Sequence, residues 1–230
     1  MKRIAPVVLA ALFVPPVTAC SSSSGPGSPE PPGSPETAEP GSAATSGEDP
    51  QPVAPADVSA EERAAACQAI VDWRSEIIEL PPEFAPSLPA GREELRFAPG
   101  MFEADSETYF TYAFVLSFAA GTALDPAALK AILDAYYRGL TRAVAESKKL
   151  ELPIDEIASR VEPDGQGLRA TIAMYDAFVT GEALELELRM TVAGTCVTVQ
   201  ASPRPAGDAV WAMLEKAATC LVCPPGNAPE

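Results

Sequence analysis

Two cysteines two residues apart, Cys220-Leu221-Val222-Cys223, sit near the end of the chain's final apolar run. C-x-x-C is the spacing of dithiol oxidoreductases, whose first cysteine is activated by sitting at a helix N-terminus. Here the pattern puts Cys220 behind a helix, at the negative end of the dipole, where a thiolate is disfavoured. No second C-x-x-C and no histidine occur anywhere in the chain. That removes Ser-His-Asp and Cys-His catalysis and every histidine-bearing metal site. A serine–lysine dyad could draw only on Lys130, Lys148, Lys149 and Lys216 beyond the first three residues. Neither a G-x-x-x-x-G-K nor a G-x-G-x-x-G loop is present to cradle phosphate, and no calcium-loop pattern occurs. Carboxylates are abundant but scattered, whereas a glycosidase needs two about 5–10 Å apart across a cleft. Asp176, inside the apolar run Met174-Tyr175-Asp176-Ala177-Phe178, is the acid that most needs a partner. A hydrogen bond to a neighbouring turn, or an outward position, satisfies it. The sequence therefore nominates no catalytic residue, no metal ligands and no cofactor.

The elements that would position these groups can be read from periodicity. Ser59-Ala60-Glu61-Glu62 is a capping box, and behind it Ala66, Ile70, Trp73 and Ile77 recur at helical spacing until Leu80-Pro81-Pro82. The spacing predicts a first helix over that span. Leu95 to Phe102 and Thr108 to Phe118 read as two strands; in the second, Phe110, Tyr112, Phe114, Leu116 and Phe118 alternate with smaller residues. Asp125-Pro126 opens a second helix with an apolar stripe of Leu129, Ile132, Leu133, Tyr136, Leu140 and Val144. Gly139 within it points to close packing, against a strand or around a ligand, and packing is the simpler account.

After the turn at Pro163–Gly167 come three strands, Leu168 to Phe178, Ala183 to Val192 and Thr195 to Ala201, with a further short strand around Ile157 to Val161. In the middle one Leu184, Leu186, Leu188, Met190 and Val192 alternate with Glu185, Glu187, Arg189 and Thr191, so one face packs and the other meets water. Asp208 caps a last helix bearing Val210, Leu214, Ala217 and Leu221. The expected fold class is α+β: one domain, a mainly antiparallel sheet of about five or six strands packed on one side against three helices. Phe110, Tyr112, Phe114, Tyr136, Tyr137, Trp73 and Trp211 either fill its core or line a pocket between sheet and helices, and aromatic stripes are more often core.

The opposite end of the chain has a different character. Met1-Lys2-Arg3 is cationic, Ile4 to Val14 is almost wholly apolar, and Val17-Thr18-Ala19 precede Cys20. This reads as a secretory signal, about half the length of a spanning helix and broken by Pro15 and Pro16. Val17-Thr18-Ala19-Cys20 resembles the lipobox of bacterial lipoproteins. The resemblance covers residues 1–20 only. It implies a leader of residues 1–19, removed to leave Cys20 first, with a diacylglyceryl group on its thiol and a palmitate-type acyl chain on its amine. Two or more chains make such anchoring stable. In that family an aspartate after the cysteine favours inner-membrane retention; Ser21 stands there instead, which leans towards the outer membrane of a bacterial cell envelope.

Residues 21–57 hold nine prolines, five glycines, six acids and no basic residue, too little apolar surface to offset ordering entropy. Residues 20–57 are thus expected to be a lipidated cysteine and a disordered tether, on the order of 35 Å long as a coil. Residues 58–230 are the globular domain. Losing Lys2 and Arg3 takes the net charge from −16 to −18, and six acids lie in the tether, leaving −12 for the domain. An acidic body excludes nucleic acid as a partner and disfavours an anionic membrane surface, so attachment falls to the lipid at Cys20. Outside the cytoplasm the remaining Cys67, Cys196, Cys220 and Cys223 are disulfide candidates. Of three pairings, Cys196–Cys220 with Cys67–Cys223 is preferred weakly, because a bond across two residues restrains little chain. The functional expectation is a lipid-anchored, non-enzymatic module that binds an envelope protein or a small apolar ligand. The alternatives are a carboxylate-based hydrolase and a carrier of hydrophobic molecules.

Overall fold

The computed structural model describes residues 58–165, 167–221 and 223. The expected leader, Cys20 and the tether lie outside the described residues.

The first helix, α1 (Ala60–Ala69), starts at the expected capping box. The Glu62 amide donates to Ser59 Oγ at 3.2 Å, and the Ser59 amide donates to Glu62 Oε2 at 3.0 Å. The helix does not continue to Leu80. It ends at the C-cap Ile70, and Arg74–Leu80 forms β1. Arg-Ser-Glu-Ile-Ile-Glu-Leu holds only three apolar residues, Ile77, Ile78 and Leu80, too few to separate a period of two from one of 3.6. Pairing chooses: all seven residues are in register with β2 (Gly91–Phe97), from Arg74 opposite Phe97 to Leu80 opposite Gly91. Ile77, expected on a packed helix face, is 54% exposed.

The other expected strands form with shifted boundaries. β2 begins four residues earlier than Leu95 and stops before Pro99, which has no amide hydrogen to give, and Gly100, whose φ of +81° turns the chain. β3 (Tyr112–Phe118) starts late because buried Phe110 has φ +51°, which no extended run tolerates. β4 (Ala158–Asp164), β5 (Gly167–Tyr175), β6 (Ala183–Ala193) and β7 (Cys196–Ser202) complete one sheet in the order β1-β2-β3-β7-β6-β5-β4, with every neighbouring pair antiparallel. The sheet therefore has seven strands rather than five or six. The chain leaves β3, crosses a face as α2 (Pro126–Lys148), and returns strand by strand until β7 lies beside β3.

Helices cover both faces, not one. On one side the α2 stripe of Leu129, Ile132, Leu133 and Tyr136 packs on Phe114 and Leu116 of β3, Leu186 and Leu188 of β6, and Val197 and Val199 of β7. On the other, α3 (Val210–Cys220) and the end of α1 set Trp211, Leu214, Ala217, Ile70 and Trp73 against Ala113 and Val115. The cause lies in β3, Tyr-Ala-Phe-Val-Leu-Ser-Phe, which is apolar on both pleats and must be covered twice. On the α3 side of β6, Glu185 and Thr191 alternate outward to solvent as their pattern predicts, while half-buried Arg189 reaches the Trp211 ring of α3. Gly139 is indeed a packing glycine, but its neighbour is a loop. A Cβ there would lie 2.0 Å from the carbonyl oxygen of Phe84.

Candidate functional site

The side chain that sequence reasoning missed is Glu93. It sits in β2 with Leu95 and Phe97 on the α2 side, and its exposure is 0%. Tyr136 of α2 donates its hydroxyl to the carboxylate at 3.0 Å and 3.2 Å. Beside it, Tyr112 of β3 and Tyr137 of α2 share a 2.6 Å hydrogen bond between hydroxyls. The rings close the space: Tyr136 meets Tyr137 edge-on at 5.3 Å, stacks near-parallel on Phe114 at 6.3 Å, and takes Phe84 of the preceding loop edge-on at 5.4 Å. Burial pushes the Glu93 carboxyl up to about 8; the Tyr136 hydrogen bond opposes this, and Glu76 on β1 adds to it. The same burial raises all three phenols, reinforced at Tyr136 by Glu93. The cluster is thus a proton-holding acid among phenols that stay protonated. Its signal in the sequence is slight: Glu93-Glu94 reads as surface and precedes the strand expected from Leu95.

Asp176 is where the apolar run implied a need, and a neighbouring turn meets it. Oδ1 accepts from the amides of Phe178 and Val179 at 2.9 Å and 3.1 Å; Oδ2 accepts from the Thr180 amide at 2.8 Å and its hydroxyl at 3.0 Å. Tyr109 adds its hydroxyl at 2.5 Å. Burial, then that hydrogen bond, raises the Tyr109 phenol to about 12. Five donors occupy the roughly four acceptor sites a carboxylate offers. This is an organising acid for the turn after β5.

All four cysteines are bonded, as Cys67–Cys220 and Cys196–Cys223. The preferred pairing is therefore corrected. Cys220 is the last residue of α3, which lies along α1, and its Cα is 4.8 Å from that of Cys67. The chain then leaves the helix at Leu221, whose ψ of 133° carries Cys223 over β7, 5.9 Å from Cys196. Two residues suffice to aim the pair at different elements. Neither C-x-x-C cysteine is a free thiol.

The aromatic residues divide between faces. Phe110, Tyr112, Phe114, Tyr136 and Tyr137 pack on one another beneath α2, while Trp73 and Trp211 lie on the opposite side. Trp211 carries the Arg189 guanidinium 3.9 Å above its ring and donates its indole N–H to the Pro205 carbonyl at 2.9 Å. A groove of about 450 Å³, open to solvent, runs past Arg142 and Glu146 in the last turns of α2 and Leu150 and Leu152 beyond it. Among the described residues no cluster of acids and cysteines could hold a metal ion, and no helix is long and apolar enough to cross a membrane. No protein-family model matches the chain, and a search of curated proteins finds no match either.

Proposed function

We propose that this protein is a lipid-anchored module of the bacterial cell envelope, held by acylation of Cys20 and working through its surface rather than by catalysis. The observation that carries the reading is the pair of disulfides. They join α1 to α3 and β7 to the tail beyond it, and they mark a non-reducing, extracytoplasmic compartment. That compartment is where a lipobox cysteine is modified. Ser21 favours the outer membrane within that reading. The surface role is supported by the state of the two buried carboxylates, Glu93 and Asp176. Both are at 0% exposure, one sealed by aromatic rings and the other consumed by a turn.

Intact-mass analysis of membrane-extracted protein tests the anchor. The expected mature chain starts at Cys20 and carries diacylglyceryl and N-acyl mass, and Cys20→Ala moves the protein out of the membrane fraction. A mature chain beginning elsewhere, or without acyl mass, rejects it. Robust turnover in a screen of ester, amide and glycoside substrates would replace the surface role with the hydrolase reading.

A further inference from the structure

The sheet has two edges, and they are treated differently. At the β4 edge the backbone is closed off by α2. Asp134 Oδ1 accepts from the Ser159 amide at 2.7 Å and the Ser159 hydroxyl at 2.6 Å, and Arg138 Nε donates to the Ile157 carbonyl at 2.6 Å. Pro163 within β4 removes another donor. These are the devices by which proteins blunt an edge against pairing. At the β1 edge no helix side chain caps the backbone and no proline removes a donor. β1 is seven residues long, and its charges, Arg74, Glu76 and Glu79, are of mixed sign. Among the described residues its outer backbone groups have no hydrogen-bond partner. Ile77, a β-branched residue at its centre, is 54% exposed on the α3 face, at the sheet's edge.

We propose that β1 is a self-association edge, through which two copies of this chain pair their β1 strands antiparallel about a two-fold axis at Ile77. An unpaired strand edge is complementary to another extended backbone, and the side chains select a second copy. With the axis at Ile77 all seven residues pair. Ile77 of one copy meets Ile77 of the other, burying the exposed side chain. Ser75 faces Glu79, a hydroxyl donor opposite a carboxylate; Glu76 faces Ile78, and Arg74 faces Leu80. No like charges stand opposite. Moving the axis to Glu76 sets that carboxylate against itself, and moving it to Ile78 leaves Arg74 and Ser75 without partners. One register is therefore favoured by both length and charge. The proposal deepens the surface role by naming the partner. Its test removes Cys20, so its failure is distinct from failure of the anchor.

The experiment is size-exclusion chromatography with light scattering and sedimentation over a wide concentration range on the full chain carrying Cys20→Ala, so that introduced cysteines meet no thiol at position 20. A concentration-dependent dimer is expected. Ile77→Lys, at an exposed position, sets two ammonium groups against each other and should weaken the dimer about tenfold or more while leaving monomer folding intact, checked by near-ultraviolet dichroism. Cross-linking reads the register. Ile77→Cys should form an intermolecular disulfide, because facing Cβ atoms lie about 5 Å apart; Glu79→Cys should do so only when mixed with Ser75→Cys. Val71→Cys, 73% exposed just before the strand, is the control that should not. A monomer at every concentration overturns the proposal. So does an unchanged dimer in Ile77→Lys, or cross-linking of Val71→Cys as readily as Ile77→Cys; pairing of β1 with a different protein would leave the isolated chain monomeric.

Discussion

Glu93 is the residue whose environment departs furthest from water, and its consequence can be measured. Its carboxyl is raised from the ordinary value near 4.5 to about 8 by burial, so the folded domain binds the proton more tightly than the unfolded chain does. Stability from this site is full below about 4.5 and is lost as pH climbs to 8, at about 1.4 kcal/mol for each pH unit. With no histidine in the chain, few other groups titrate in that window. Thermal midpoints should therefore fall steadily between pH 5 and 8, and Glu93→Gln should flatten the slope while keeping a donor or acceptor for Tyr136. An unaltered slope in Glu93→Gln would show that the carboxyl is not held protonated. Asp134 works in the opposite direction: although burial opposes it, hydrogen bonds from Lys130 and Ser159 hold its carboxyl low. Its contribution fades only under more acidic conditions.

Among the elements, α2 is the one on which most of the core depends, and Gly139 sets how closely it sits. The Phe84 carbonyl occupies the space a side chain would need, and that loop also brings Phe84 onto Tyr136. Gly139→Ala would gain up to about 1 kcal/mol of helix propensity. The backbone oxygen 2.0 Å from the new carbon cannot yield as a flexible side chain would. A net loss of about 1–3 kcal/mol is expected from chemical denaturation, as for other overpacked sites. A stabilised variant would mean the loop gives way freely. The limits of local pattern show at α1 and β1. Ile70, Trp73 and Ile77 fit a helical stripe, yet only Ile70 and Trp73 are buried, and from Arg74 the chain is a strand. A partner strand, β2, arrives from later in the chain and supplies a hydrogen-bond ladder that no single-segment pattern contains.

For the molecule as a whole, the two disulfides are unequal. Cys67–Cys220 spans 153 residues and Cys196–Cys223 spans 27. Chain-entropy arguments give about 5 kcal/mol for the first and about 3.5 kcal/mol for the second. The paired serine substitutions should lower denaturation midpoints in that order, read by urea unfolding at constant pH. The reverse order would mean that local strain or structure in the unfolded chain outweighs loop length.

Much of this architecture was legible from residues alone. The capping box at Ser59, the Asp125-Pro126 start, the α2 stripe, the alternation in β6 and the even number of cysteines each act within a few residues, so periodicity and chemistry suffice to read them. The absence of histidine, the acidic body and the bias of residues 21–57 likewise belong to composition. What the tertiary structure decided concerns partners distant along the chain. It chose which cysteine meets which, turned the last third of an expected helix into an edge strand, put helices on both faces, and buried Glu93 beneath Tyr136. In every one of these the deciding group comes from a distant part of the chain, and its free energy exists only once the sheet has brought the two together.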